Sequence, residues 1–101
     1  MSIIVTGTID LDPAHREAAV EAANVLMAAT RAEDGCEHYV FSGDFVDPGR
    51  IYVVEQWASQ EAIDAHMATS HLAEFMTAMG GFGVTAASLT KWDGATPSKL
   101  M

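Results

Sequence analysis

Residues 55–76, EQWASQEAIDAHMATSHLAEFM, join the end of a predicted strand to a predicted helix and set the arrangement of the chain. The strand ends at Trp57, and Ser59 supplies an N-cap oxygen for a helix whose first turn contains the acidic Glu61. Apolar residues recur at helical spacing on both sides of a candidate break at Thr69-Ser70, namely Ile63, Met67, Leu72, Phe75, Met76 and Met79. An acid, a large aromatic ring and two imidazoles leave this corner of the chain: Glu55, Trp57, His66 and His71. We therefore expect a functional site here.

The rest of the chain predicts four strands and two helices. Strands are expected at residues 2–9, 36–42, 51–57 and 82–92, because these runs are rich in β-branched and aromatic residues. The first helix begins at Asp12-Pro13 and ends at Gly35, and the second ends at Gly80-Gly81. The order β-α-β-β-α-β predicts an α+β, ferredoxin-like split βαβ fold, an antiparallel four-stranded sheet with both helices on one face. We expect one domain over residues 1–101, with a short tail at 93–101.

The first helix has an apolar stripe that should face the sheet. Its predicted members are Ala18, Ala22, Val25, Leu26 and Ala29. Polar residues are expected on its outer face: His15, Glu17, Glu21 and Asn24.

The central strands are apolar or aromatic on both faces. In the second strand Tyr39 and Phe41 alternate with Cys36, His38 and Val40, and in the third Tyr52 and Val54 alternate with Ile51, Val53 and Trp57. Helices cover only one face, so a monomer would leave one of these sets in water as a large apolar patch. This pattern predicts a homodimer formed through the sheet face, without indicating which set faces outward.

Composition excludes several classes of partner. The chain has a net charge of −9, which repels nucleic acid and anionic membrane surfaces. Half of its residues are hydrophobic, yet no apolar run approaches the length of a membrane span, and no leader sequence is recognisable. The single cysteine, Cys36, cannot form an internal disulfide, so we expect a cytoplasmic protein.

The sequence lacks the usual marks of nucleotide, zinc and dithiol sites, such as a P-loop, an H-E-x-x-H or a C-x-x-C motif. The candidate metal ligands are His66, His71 and Glu55. A spacing of five residues does not place both imidazoles on one face of a continuous helix, where three or four would. We therefore predict no metal.

The pattern E-x-W-x-S-x-E-A-x-x-x-H-x-x-x-x-H-x-x-x-F, from Glu55 to Phe75, resembles the signature of the antibiotic biosynthesis monooxygenase domain family. The segment 31–39, RAEDGCEHY, and Asp47-Pro48 resemble the family's entry into the second strand and its hairpin. The resemblance runs from about residue 3 to residue 92. It implies the same ferredoxin-like fold and a dimeric α+β barrel. It also implies kinship with enzymes that oxidise phenols or hydroquinones with dioxygen and use neither flavin nor metal.

The chemistry implied by this resemblance requires a base and an apolar pocket. Deprotonating a phenol gives an electron-rich anion that can reduce dioxygen, so the protein must bind, deprotonate and exclude water, and no cofactor is expected. We predict that His66 or His71 is the base, with Glu55 either orienting a histidine or bonding across the dimer. The predicted substrate-binding residues are Trp57, Tyr39, Phe75, Phe82 and Met67. Each of these side chains also has a purely structural interpretation as a core residue.

Other functions remain open. An isomerase acting on a small carbonyl compound could use the same histidine and carboxylate, and a non-catalytic ligand-binding dimer would need neither. Haem-degrading relatives use an asparagine in the first strand, whereas the only asparagine here, Asn24, lies in the first predicted helix. This departure argues against haem degradation.

Overall fold

Four strands and three α-helices follow one another in a computed structural model that describes residues 2–101. They are β1 (Ser2–Asp10), a 3₁₀ turn (Pro13–His15), α1 (Arg16–Arg31), β2 (Cys36–Gly43), β3 (Arg50–Trp57), α2 (Gln60–Met67), α3 (Ser70–Met79) and β4 (Ala86–Ala95). The strands form one antiparallel sheet in the order β2-β3-β1-β4. This arrangement confirms the predicted α+β, ferredoxin-like fold. No helix within residues 2–101 is both long and apolar enough to cross a membrane.

Alternation along β3 separates the two faces of the sheet. Ile51, Val53, Glu55 and Trp57 are buried under the helices, while Tyr52 and Val54 are 39% and 47% exposed on the opposite face. We call that uncovered side the open face; Val40 and Trp92 also lie there, 38% and 56% exposed. The homodimer through this face stays a prediction, which sedimentation velocity would test.

Alternation predicts that Cys36 shares a face with His38 and Val40, and this prediction is wrong. The register of β2 against β3 shifts between Cys36 and His38, which is a β-bulge. Cys36 therefore pairs with Trp57 and packs against the core beneath the helices. Burial raises the pKa of its thiol, as expected for a structural cysteine.

The predicted apolar stripe of α1 is displaced. The buried residues are Ala19, Ala23, Leu26 and Thr30, whereas Ala18 and Val25 are exposed. The prediction for Leu26 is thus confirmed, and the four residues predicted on the outer face are all exposed. The six alanines of α1 are spread around the helix, so the hydrophobicity of its faces differs little. Contact with the sheet therefore decides which face is buried.

The candidate break at Thr69-Ser70 divides the second predicted helix into α2 and α3. Thr69 is the N-cap of α3; its hydroxyl accepts from the backbone N–H of Leu72 at 3.4 Å and donates to the carbonyl oxygen of His66 at 2.7 Å. One threonine therefore holds both helix ends at the break.

The predicted start of the fourth strand at Phe82 is wrong. Phe82 lies in the turn after α3 and packs against Ile9 and Leu11, and β4 begins only at Ala86 and continues to Ala95. Gly83 has a φ of 64° and its carbonyl accepts from the backbone N–H of Asp12, so this segment is held against the end of β1 outside the sheet. Part of the predicted tail at 93–101 is consequently strand.

Gly35→Ala should lower the free energy of unfolding by about 1–3 kcal/mol. Gly35 has a φ of 80°, and a Cβ there would stand 2.6 Å from the Cβ of Ala62 on α2. Gly81→Ala is the matched control, since Gly81 has no positive φ and its nearest contact would be an ordinary 3.6 Å. Urea denaturation of both variants checks this, and equal stabilities would contradict it.

Candidate functional site

A cavity of about 320 Å³ lies between the sheet and helices α2 and α3. Its walls are largely apolar, and its polar side chains are Tyr39, Glu55 and His66. The remaining lining residues are Ile9, Phe41, Val53, Met67, Leu72, Ala73, Phe75, Met76, Met79, Ala87 and Leu89. An apolar space with a few convergent polar groups is the usual form of a small-molecule site.

Five of the predicted site residues meet at this cavity: His66, Glu55, Tyr39, Phe75 and Met67. Trp57 is fully buried and does not line it, but its ring centroid lies 4.8 Å from that of His66. His71 also lies outside the lining and contacts a carboxylate next to His66. Phe82 packs in the core cluster with Ile9 and Leu11, where the loop held by Gly83 directs it, and it is not among the residues that line this cavity.

Glu55 is a carboxyl group buried in an otherwise apolar strand. It is 8% exposed, and its Oε1 accepts a 2.9 Å hydrogen bond from Nε1 of Trp57, two residues along the same face of β3. Burial raises the pKa of Glu55, against the Trp57 hydrogen bond and the neighbouring His66, which lower it. Glu55 is thus held at the cavity wall with one of its oxygens bonded.

Tyr39 lies opposite Glu55 on β2 and packs against the ring of His66, with 5.2 Å between the ring centroids. Burial, with the nearby carboxylates of Glu55 and Glu33, raises the pKa of Tyr39 well above its ordinary value. Its hydroxyl therefore stays protonated at neutral pH, and it lies beside the buried side chain of Thr30 on α1.

Glu33 is a residue of this site that sequence reasoning missed. It lies in the turn between α1 and β2, and its Oε2 is 2.8 Å from Nδ1 of His66 and 2.7 Å from Nε2 of His71. The partner of His66 is thus Glu33, whereas the prediction considered Glu55. An ionised carboxylate only accepts hydrogen bonds, so both of these nitrogens carry protons. In the neutral form of the His66 ring, a proton on Nδ1 leaves the lone pair on Nε2.

The break between α2 and α3 is what allows one carboxylate to reach both histidines. On a continuous helix a spacing of five residues would separate the imidazoles, but the chain turns at Ala68 and Thr69. The ring centroids of His66 and His71 lie 6.2 Å apart as a result. The sequence signal for Glu33 was its place in segment 31–39, which carried part of the family resemblance.

The arrangement has two chemical capacities. His66 lines the cavity and its Nε2 can accept a proton from a molecule bound there. The ligand atoms of Glu33, His66 and His71 all lie within 4.8 Å of one another, so within residues 2–101 these three side chains could hold a metal ion.

A family model described as "Antibiotic biosynthesis monooxygenase" matches residues 2–78. Among solved structures, a Deinococcus radiodurans protein provisionally named an antibiotic biosynthesis monooxygenase is 26% identical, with coverage of 98% of each chain and a TM-score of 0.90. A Pseudomonas aeruginosa protein is 27% identical, with coverage of 90% of this chain and 91% of that one and a TM-score of 0.82.

A curated relative, an uncharacterised protein of Synechocystis, is 28% identical over 74 residues, which is 73% of this chain. The match spans half of the length of that relative. This chain is therefore similar to one part of a longer protein, and the activity of that protein is not established.

Proposed function

This chain belongs to the antibiotic biosynthesis monooxygenase family, and on that premise we propose that it oxidises a phenolic or hydroquinone-type aromatic molecule with dioxygen, without a flavin, haem or metal cofactor. One observation carries the proposal: His66, held through Nδ1 by Glu33, lines an apolar cavity of about 320 Å³. The proposed oxidation requires a base that deprotonates the substrate hydroxyl and an apolar cavity that binds the aromatic ring.

The first step is removal of a proton from the substrate hydroxyl by Nε2 of His66. The resulting phenolate transfers electrons to dioxygen, and one oxygen atom forms a bond to a ring carbon. For a phenol that becomes a quinone, the substrate loses two hydrogens and gains one oxygen atom, and the second oxygen atom leaves as water. The substrate supplies all of the electrons, so the step balances without a further reductant.

The hydrogen bond to Glu33 supports the role of His66 as the base. The carboxylate fixes the ring orientation and stabilises the imidazolium that forms when Nε2 takes the proton, as the aspartate does for histidine in a catalytic triad. Glu33 is thus a positioning residue in this proposal.

Glu55 and Tyr39 are proposed to orient the substrate. Both line the cavity, and together they offer a carboxyl oxygen and a phenolic donor to the hydroxyl groups of a ring. The apolar side chains of Phe75 and Met67 would pack against the ring faces and exclude water. A buried acid and a net charge of −9 favour an uncharged substrate over an anionic one.

The test is dioxygen consumption by flavin-free protein treated with a chelator, against hydroquinones, naphthols and anthrones. We expect uptake well above autoxidation, with one atom of ¹⁸O₂ appearing in the product. Uptake at the autoxidation rate across the panel would overturn the proposal. Conversion of a carbonyl compound without dioxygen would then favour the isomerase, and binding without turnover would favour the ligand-binding dimer.

A further inference from the structure

We propose that Glu33, His66 and His71 form a binding site for a divalent transition-metal ion such as Zn²⁺, and that an ion bound there inhibits the enzyme. The binding part stands independently. The inhibition part rests on the proposed function, because it concerns the same histidine.

The first argument is convergence of the right ligand atoms. Two imidazole nitrogens and one carboxylate oxygen come together from three separate segments, namely the α1–β2 turn, α2 and α3. All three atoms lie within 4.8 Å of one another. Two histidines with one carboxylate are a recurring ligand set for transition metals, and they leave coordination positions open for water.

The second argument is geometric. Metal–ligand bonds of about 2.0–2.1 Å in a tetrahedral site place neighbouring ligand atoms about 3.3 Å apart. The oxygen of Glu33 is 2.8 Å from Nδ1 of His66 and 2.7 Å from Nε2 of His71. The carboxylate must therefore withdraw by about half an ångström from each ring to admit an ion. The two ring nitrogens, which lie within 4.8 Å of each other, must also approach by up to about 1.5 Å to share it, so side-chain rotation of His71 has to accompany binding.

The third argument is access. The side chain of His66 is 4% exposed, whereas those of Glu33 and His71 are 14% and 22% exposed. An ion can therefore enter from solvent past His71 without passing through the cavity. The net charge of −9 raises the local concentration of cations near this opening.

The ligand set also indicates which ions will bind. Imidazole nitrogen suits Zn²⁺, Co²⁺ and Ni²⁺, whereas Mg²⁺ and Ca²⁺ prefer sites made only of oxygen atoms. We therefore expect Zn²⁺ and Co²⁺ to bind and Mg²⁺ to bind far more weakly.

Inhibition follows because the neutral imidazole of His66 carries one proton, which is on Nδ1 or on Nε2. Nδ1 of His66 faces the Glu33 carboxylate, and in the neutral ring a proton donated from Nδ1 leaves the lone pair on Nε2. A metal ion on Nδ1 uses the lone pair there, so the neutral ring must carry its proton on Nε2. Nε2 then donates a hydrogen bond and can no longer accept the substrate proton. Metal binding and base catalysis by His66 therefore exclude each other.

The experiment is titration of metal-free protein with Co²⁺, followed by its visible absorption, and equilibrium dialysis with Zn²⁺. Glu33→Gln and His71→Gln each remove one ligand. The matched control is the double variant His15→Gln/His38→Gln, which removes the two exposed histidines that lie elsewhere. If Glu33→Gln fails to fold, as judged by circular dichroism, His71→Gln decides the result because that ring is partly exposed.

We expect one Co²⁺ per chain in the wild type and in the control. Loss of a ligand should weaken binding by about 100-fold or more, beyond the 10–100-fold that loss of a supporting residue costs. Affinity that is unchanged in His71→Gln, or lost in the control, would overturn the site.

Dioxygen uptake in the presence of Zn²⁺ tests the inhibition part of the proposal separately. Zn²⁺ should abolish uptake by the wild type at the same concentration that fills the site, and the chelator should restore it. Uptake that continues with the site filled would overturn inhibition and leave the proposed function standing. Absence of uptake in metal-free protein contradicts the proposed function instead, while the Co²⁺ titration still decides whether the ion binds.

Discussion

Replacing His66 by glutamine should lower the rate of substrate-dependent dioxygen uptake by about 10²- to 10⁴-fold, the range typical for loss of a general base. Glutamine fills a similar volume and can still hydrogen-bond to Glu33, but it cannot accept a proton at neutral pH. The affinity for the substrate should change little, since the apolar walls of the cavity remain. The measurement is initial dioxygen uptake at saturating substrate, together with substrate binding by fluorescence.

His38→Gln is the matched control for this variant. His38 lies on the open face of the sheet, exposed and away from the cavity, so uptake should be unchanged. His71→Gln should reduce uptake less than His66→Gln, because His71 reaches the site only through Glu33. If His71→Gln is instead the more damaging change, His66 is not the base.

Local patterns predicted the first three strands, the Asp12 and Ser59 caps and the corner between β3 and α2. Two features depend only on neighbours within a few residues, namely Ser59 as an N-cap and the alternation of Ile51, Val53 and Glu55. Such local features can be predicted from the sequence alone. The placement of Glu55 and His66 at one cavity followed from that corner, because a strand and the helix after it stay close in space.

The errors have a common physical cause, which is that contacts distant in sequence decided the outcome. The buried side of α1 is chosen by the sheet, and the position of Phe82 depends on the hydrogen bond between Gly83 and Asp12, which are 71 residues apart in sequence. Glu33 is 33 residues from His66 and 38 from His71. Periodicity within a segment carries no information on such pairings.

Trp57→Ala should produce the largest loss of stability, about 3–5 kcal/mol in the free energy of unfolding. Trp57 is 0% exposed and packs with Leu26, Tyr39 and Ala62 in the second of two buried clusters. Removing its indole leaves a void that the rigid sheet beneath it cannot fill. The measurement is equilibrium unfolding in urea, at one protein concentration for all variants because the stability of the predicted homodimer would depend on concentration.

Trp57→Phe separates the volume of the indole from its hydrogen bond. Phenylalanine retains most of the buried ring but cannot donate to Oε1 of Glu55, which then remains at the cavity wall without that partner. We expect a loss of about 1–3 kcal/mol, the cost of leaving a buried polar group unpaired. The loss should shrink in the double variant Trp57→Phe/Glu55→Gln, because a neutral amide costs less to bury than a carboxylate.

If Trp57→Phe destabilises the chain as much as Trp57→Ala, packing of the phenyl ring contributes nothing at this position. If it does not destabilise the chain at all, Glu55 does not depend on Trp57 for its place at the site.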